Sequence, residues 1–256
     1  MSYAAINGLN MYYEVHGEGR PLVLLHGNLS TVEVDFGRII HTLAATRQIV
    51  AVEQQAHGHT ADIDRPLRTK TWAADTAALL DTLGIAEADV FGYSSGSAVA
   101  VHLAIQRPEL VRKLVLASIA YHKDGLHPGL LDGIQDLQPE HLAGTPFEES
   151  YARVAPRPQD WPVLIEKIKE MDSEVDEWSA EAIRAIGKPA LLVYGDSDIV
   201  RPEHSAEIFR LFGGGVAGDL AGLPASRLAI LPGTTHVTLV HRGEWLSSMI
   251  EEFLDA

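Results

Sequence analysis

Gly92-Tyr93-Ser94-Ser95-Gly96 places a serine between two glycines, directly after the apolar pair 90–91 and directly before a run of small helix-forming residues. That arrangement suits nucleophilic attack on a carbonyl. A serine at a sharp strand-to-helix turn has a strained backbone, and the chain crosses itself so closely that the residues two before and two after must be small. Glycine meets this demand on both sides of Ser94. With Ser95 as nucleophile, Tyr93 and Ser97 would occupy the crowded positions, so Ser94 is the candidate.

A serine hydroxyl needs a base to take its proton, and the base needs a carboxylate to orient it. Of twelve histidines, His236 is singled out. It closes Pro232-Gly-Thr-Thr-His236, a turn after the last apolar run (228–231). In a parallel sheet the carboxyl ends of the strands share one edge, where ligands bind. Tyr194-Gly195-Asp196-Ser197-Asp198 offers two carboxylates on that edge. Asp198 lies farther from the strand end and can turn to an imidazole, whereas Asp196 suits a turn-binding role; Asp124 is a distant third. The developing oxyanion requires two fixed N–H donors. One is expected from Ser95, at the positive end of the helix it opens. The other is expected from Asn28, in His26-Gly27-Asn28-Leu29, where His26 reads as a residue that pins the loop.

These residues need a scaffold. Asn7-Gly8 between residues 3–6 and 9–15 reads as a two-residue hairpin. Apolar runs at 21–25, 49–52, 90–91, 114–116, 190–194 and 228–231 read as strands buried on both faces. Helical patterns lie between them: Phe36, Ile39, Ile40 and Leu43; Trp72 to Leu83, stopped by Gly84; the small-residue run stopped near Pro108; and a final stripe of Trp245, Met249, Ile250 and Phe253. Alternating strands and helices imply βαβ units and a mostly parallel α/β sheet with an antiparallel edge. Residues 121–186 hold helical patterns (163–171, 180–186), no strand-like run, and six basic against fourteen acidic residues. They read as a helical cap inserted in a core formed by 1–120 and 187–256. Residues 213–226 read as a long polar loop.

The 256-residue chain is 46% hydrophobic and carries a formal charge of −15. The charge argues against nucleic acid, polyphosphate or anionic membranes as partners. It points to a small neutral or apolar ester-like substrate. The absence of cysteine rules out thiolate chemistry and disulfides. The apolar run 21–25 is too short for a membrane span or signal segment, so the cytoplasm is the expected compartment. His57-Gly58-His59 with Asp62 lacks the H-x-H-x-D-H spacing of a dinuclear metal site, because Asp62 comes one residue late and Ile63 follows it. No metal is expected.

Taken in order, HGN at 26–28, AHGH at 56–59, GYSSG at 92–96, GDSDIV at 195–200 and GTTH at 233–236 resemble the α/β-hydrolase superfamily over essentially the whole chain. The resemblance implies an eight-stranded, mostly parallel sheet, a Ser94–Asp198–His236 triad and no cofactor. HGN differs from the HGGG loop of many lipases, which argues against tertiary-alcohol esters. Ala56 stands where many relatives have glycine, and Glu53-Gln54-Gln55 replaces the usual aspartate start of that loop. Dehalogenases and epoxide hydrolases of this family use an aspartate nucleophile, so Ser94 argues against both. The proline-peptidase branch carries tryptophan where Ser95 stands. Cleavage of an ester, lactone or thioester through an acyl-enzyme remains. A receptor-like protein with little turnover and a cofactor-free perhydrolase are the alternatives. Tyr93, Trp161 and Trp178 are candidate substrate-binding residues, with Met171 beside them; the two tryptophans equally suit the cap's own core. A fluorophosphonate should add once, at Ser94, and mass spectrometry should find the label lost in Ser94→Ala and kept in Ser95→Ala. Labelling at Ser95 would overturn the choice of elbow residue.

Overall fold

A computed structural model describes residues 2–173 and 176–256. Eight strands form one sheet: β1 (Ser2–Ile6), β2 (Leu9–His16), β3 (Arg20–Leu25), β4 (Arg47–Val52), β5 (Ala88–Tyr93), β6 (Val111–Ala117), β7 (Ala190–Ser197) and β8 (Arg227–Thr235). Their order is β1-β2-β4-β3-β5-β6-β7-β8. β1 and β2 are antiparallel, as are β2 and β4; every other neighbouring pair is parallel. Asn7 and Gly8 both take positive φ, 47° and 88°, as a two-residue hairpin loop of this twist requires.

The central strands are apolar throughout because both faces are covered. Val90 packs in one core layer with Trp72, Leu79 and Val99, while its neighbour Phe91 packs in the other with Phe36 and Phe253. Leu22 to Leu25 are fully buried. At roughly 1.5–3 kcal/mol per large apolar side chain, this burial is what holds the sheet edge in place.

Four local features differ from the sequence reading. The 36–43 pattern is split into helices Val32–Phe36 and Ile40–Leu43; the first carries a Thr31 cap and ends at Gly37. On the last helix, Gly243–Asp255, the buried stripe is Leu246, Ile250, Phe253 and Leu254. Trp245 lies outside it, 47% exposed, beneath the Arg242 guanidinium. β8 continues through Pro232-Gly-Thr-Thr instead of ending at residue 231. The Asp196 carboxylate holds this extension by accepting from Gly233 N and Thr234 N at 2.9 and 3.1 Å. Within 213–226 a short helix, Gly218–Ala221, interrupts the loop.

Between β6 and β7 the chain forms helices Leu130–Gln135, Pro146–Val154, Trp161–Ser173 and Ala180–Ala185. An isolated antiparallel bridge, Leu126 to Val200, ties the start of this excursion to the loop after β7.

The tightest point of the fold is the turn from β5 into the helix Ser95–Gln106. A Cβ on Gly92 would lie 2.2 Å from Gly96 O, and one on Gly96 would lie 2.0 Å from Leu25 O. Both obstacles are backbone and cannot rotate away. Gly96→Ala should therefore lower unfolding stability by about 1–3 kcal/mol or more in urea titration, as overpacking does elsewhere. Alanine at Gly129, which has open space around its Cβ position but φ +82°, should cost less.

Candidate active site

Ser94 sits at the end of β5 with φ 55° and ψ −124°, a conformation few non-glycine residues adopt. The turn presents Ser94 to the cavity beside His236. His236 is the first residue of the short helix His236–Leu239 that follows β8. Its Nε2 lies 3.0 Å from Ser94 Oγ, and its Nδ1 lies 3.0 Å from Asp198 Oδ1. Residues 94, 198 and 236 are thus brought together from the ends of three different strands. Asp196, facing the β8 backbone, and Asp124, exposed beside His122, are not part of this arrangement.

Asp198 has no exposed side-chain surface. Burial would push its carboxyl up, but the hydrogen bond and charge of His236, the Ser118 hydroxyl and the Gly195 amide together hold it below the usual aspartate range. Ser118 Oγ donates to Oδ2 at 2.5 Å and Gly195 N donates to it at 3.1 Å, while Ile199 N donates to Oδ1 at 2.7 Å. A carboxylate so supplied stays ionised and can stabilise an imidazolium. Ser118 went unnoticed in the sequence. The only signal is a serine directly after β6, the strand beside β7, and it too has positive φ, 58°.

The loop after β3 is fixed from below. His26 donates through Nδ1 to Gly27 O at 2.7 Å and accepts at Nε2 from Gln54 N at 3.1 Å. Buried Asp35 accepts from Gly27 N and Ser30 Oγ at 2.8 and 2.7 Å. Leu29 N is taken by His57 Nε2 at 3.1 Å. Among the described residues, the amides of Asn28 and Ser95 have no protein acceptor, so two N–H groups stay free beside Ser94. Gly27 makes this approach possible, since a Cβ there would lie 3.1 Å from Ser94 Cβ.

Ser94, Ser95, Asn28 and His236 open on a cavity of about 340 Å³. Its walls are mostly apolar: Leu126, Leu130, Leu131, Ile134, Leu137, Ile168, Met171 and Trp178 from the 121–186 excursion, with Ile119 and Ile199 from the core. Of the proposed substrate-binding residues, Trp178 lines the cavity but Trp161 and Tyr93 do not. Trp161 packs against Tyr151, with ring centroids 5.1 Å apart, inside the excursion's own core. Tyr93 lies behind the imidazole: its ring stacks on His236 at 5.2 Å, and its hydroxyl donates to His236 O at 2.9 Å. Trp161 opens a helix and Trp178 lies in the segment between two helices, and no spacing along the chain says which of them meets the cavity.

Residues 20–157 match the family model of the alpha/beta hydrolase fold. The chain belongs to the α/β-hydrolase fold family. It is similar to the mouse (Mus musculus) serine hydrolase BPHL, at 24% identity over 98% of this chain and 84% of that protein. Among solved structures it resembles a meta-cleavage product hydrolase from Pseudomonas fluorescens complexed with acetates, with TM-score 0.78, 18% identity and coverage of 100% and 97% of the two chains. It also resembles an enol-lactonase from Burkholderia xenovorans, with TM-score 0.71, 20% identity and coverage of 99% and 100%.

The departures at 53–56 have a structural explanation. Ala56 takes φ 67°, the left-handed conformation that glycine adopts freely. The Glu53 carboxylate turns into the following loop, where it accepts from His59 N at 2.6 Å and pairs with His59 Nδ1 at 2.8 Å. Gly58 leaves room for it, because a Cβ there would lie 2.3 Å from that carboxylate. His57, His59 and Asp62 face different partners: His57 bonds to Leu29 N and Gln55 O, His59 to Glu53, and Asp62 to Gln55 and Lys167.

His57 supports the free Asn28 amide by holding its neighbour, and it does so as a neutral imidazole. Burial, with His26 beside it, pushes its pKa down to about 3, and the Gln55 carbonyl only partly offsets this. The unfolded chain takes up a proton below about pH 6.5, whereas the native state does not until about pH 3. Stability from this group is complete above pH 6.5 and is lost as pH falls through that window. Between pH 6.5 and 4.5 the loss should be about 2 kcal/mol. Urea titrations should show a flatter pH slope in His57→Gln than in the wild type, and parallel slopes would refute the assignment.

Proposed function

We propose that the protein is a serine hydrolase that cleaves carboxylic esters, with lactones next in order, through an acyl-enzyme. The observation that carries this reading is the single imidazole that meets Ser94 Oγ on one nitrogen and Asp198 on the other, each at 3.0 Å. Similarity to a curated serine hydrolase along 98% of the chain supports it, and the enol-lactonase likeness supports lactones as a substrate class.

The steps follow from the geometry. Ser94 Oγ attacks the ester carbonyl carbon while His236 Nε2 takes its proton. Asp198 accepts from Nδ1–H and stabilises the imidazolium without itself taking a proton. The carbonyl oxygen becomes an oxyanion facing the amides of Asn28 and Ser95. His236 returns the proton to the leaving alkoxide as the C–O bond breaks, which leaves an ester on Ser94. Water, deprotonated by the same imidazole, then attacks that ester, and His236 returns the proton to Ser94 Oγ as the acyl C–O bond breaks and the acid leaves. No step calls for a metal or cofactor. The leucine-rich wall of the cavity receives the apolar part of the substrate.

The wild-type protein should hydrolyse short 4-nitrophenyl esters, and Ser94→Ala should lose roughly 10³-fold or more of kcat, because triad members act as a unit. Asp198→Asn should also lower kcat, with a smaller effect on KM. Turnover unchanged in Ser94→Ala would sink the mechanism.

A further inference from the structure

Most of the cavity wall over Ser94 is hydrocarbon, but the wall beside the oxyanion loop is polar and incompletely bonded. Among the described residues, buried Asn28 Oδ1 has no hydrogen-bond partner, and neither has Ser95 Oγ. The Asn28 amide turns its Nδ2 outward to donate to Asp172 Oδ1 at 3.3 Å. Asp172 lies in the last turn of the helix Trp161–Ser173 and lines the same cavity. Among the described residues no lysine, arginine or histidine pairs with its carboxylate. Burial raises this carboxyl to about 7; the Asn28 bond opposes the shift and neighbouring Asp176 adds to it. The other charged groups on this wall are engaged elsewhere. Asp176 accepts from Thr69 Oγ1 and bonds to His102 Nε2. Arg68 donates to Leu67 O and lies 3.6 Å from the Glu170 carboxylate.

Two acceptors on this cavity wall therefore lack a donor among the described residues: the buried amide oxygen of Asn28 and a carboxylate oxygen of the half-buried Asp172. A buried acceptor left unpaired is unfavourable, and a carboxylate drawn partly out of water without a counter-charge adds to that. A substrate hydroxyl would fill one acceptor but leave the charge uncompensated. An ammonium group carries three donors and the missing charge together. It also suits a chain of net charge −15, whose field repels anions and draws cations.

We propose that Asn28 and Asp172 form a subsite for an ammonium group, so that the preferred substrates are apolar esters bearing an amine a few bonds from the scissile carbonyl. This rests on the hydrolase reading above and narrows its substrate class, replacing the neutral substrate expected from composition with a cationic one.

The test compares benzyl 3-aminopropanoate with benzyl butanoate, which differ by an ammonium in place of a methyl, through benzyl alcohol release at pH 7.5. The wild type should favour the ammonium ester at least tenfold in kcat/KM, and Asp172→Asn should bring that ratio to about one. A wild-type preference for butanoate, or a ratio unchanged in Asp172→Asn, would overturn the proposal. A second measurement uses only the wild type: butylammonium should inhibit 4-nitrophenyl acetate hydrolysis with a Ki at least tenfold below that of 1-butanol. Equal values would also overturn it. Failure of the hydrolase reading itself would look different, with neither ester cleaved and no fluorophosphonate label on Ser94. Calorimetry of butylammonium against 1-butanol would then still decide the subsite, because it needs no turnover.

Discussion

The left-handed backbone of Ser94 is the constraint from which the rest of the site follows. A non-glycine residue at φ 55° and ψ −124° costs about 1–3 kcal/mol and persists only where its surroundings over-determine it. Here they do. Gly96 lies against Leu25 O and Gly92 against Gly96 O, so β3, β5 and the helix Ser95–Gln106 meet with no room for a side chain. Fully buried Leu24, Leu25, Val90 and Phe91 hold those strands in register. The same crowding that strains Ser94 brings the β3 loop to its hydroxyl and sets the Ser95 amide beside the Asn28 amide.

Around that point the polar groups are arranged in tiers. His236 touches the serine. Asp198 touches His236 and is supplied by Ser118, Gly195 and Ile199. On the other side, Asp35, His26 and His57 hold the loop that carries Asn28. These groups are buried and hydrogen-bonded, and a satisfied buried network fixes one geometry because each alternative leaves a partner unpaired. The exceptions are the groups that face the cavity: Asn28 Oδ1, Ser95 Oγ and the Asn28 and Ser95 amides. Other buried polar atoms without a partner among the described residues, such as those of the Gln54 side chain and Trp72 Nε1, lie away from the cavity.

The helical excursion after β6 supplies the other wall. Its carboxylates are mainly a solvated outer face, but Asp172 and Asp176 turn inward. Leu126, Leu130, Leu131, Leu137, Met171 and Trp178 line the cavity too, while Trp161 packs against Tyr151. One segment therefore builds both an apolar receptacle and the charged point beside the serine.

Much of this was legible in the sequence because it is encoded over short distances. A parallel strand buried on both faces must be continuously apolar, and a sharp turn bearing a nucleophile must be flanked by glycine, so the sheet, Ser94 and the glycines at 92 and 96 can be read directly. The choice of Asp198 over Asp196 also follows from chain direction at a strand end. What the sequence could not decide depends on which distant side chains meet. Ser118 reaches Asp198 only because β6 lies beside β7. Trp161 and Trp178 have similar surroundings in the sequence, but Trp178 lines the cavity whereas Trp161 packs against Tyr151. Asp172, 78 residues beyond Ser94, joins the site only because Asn28 reaches it across the cavity. Local backbone demands leave marks at fixed spacing, whereas contacts between elements are set by packing, and no spacing along the chain records them.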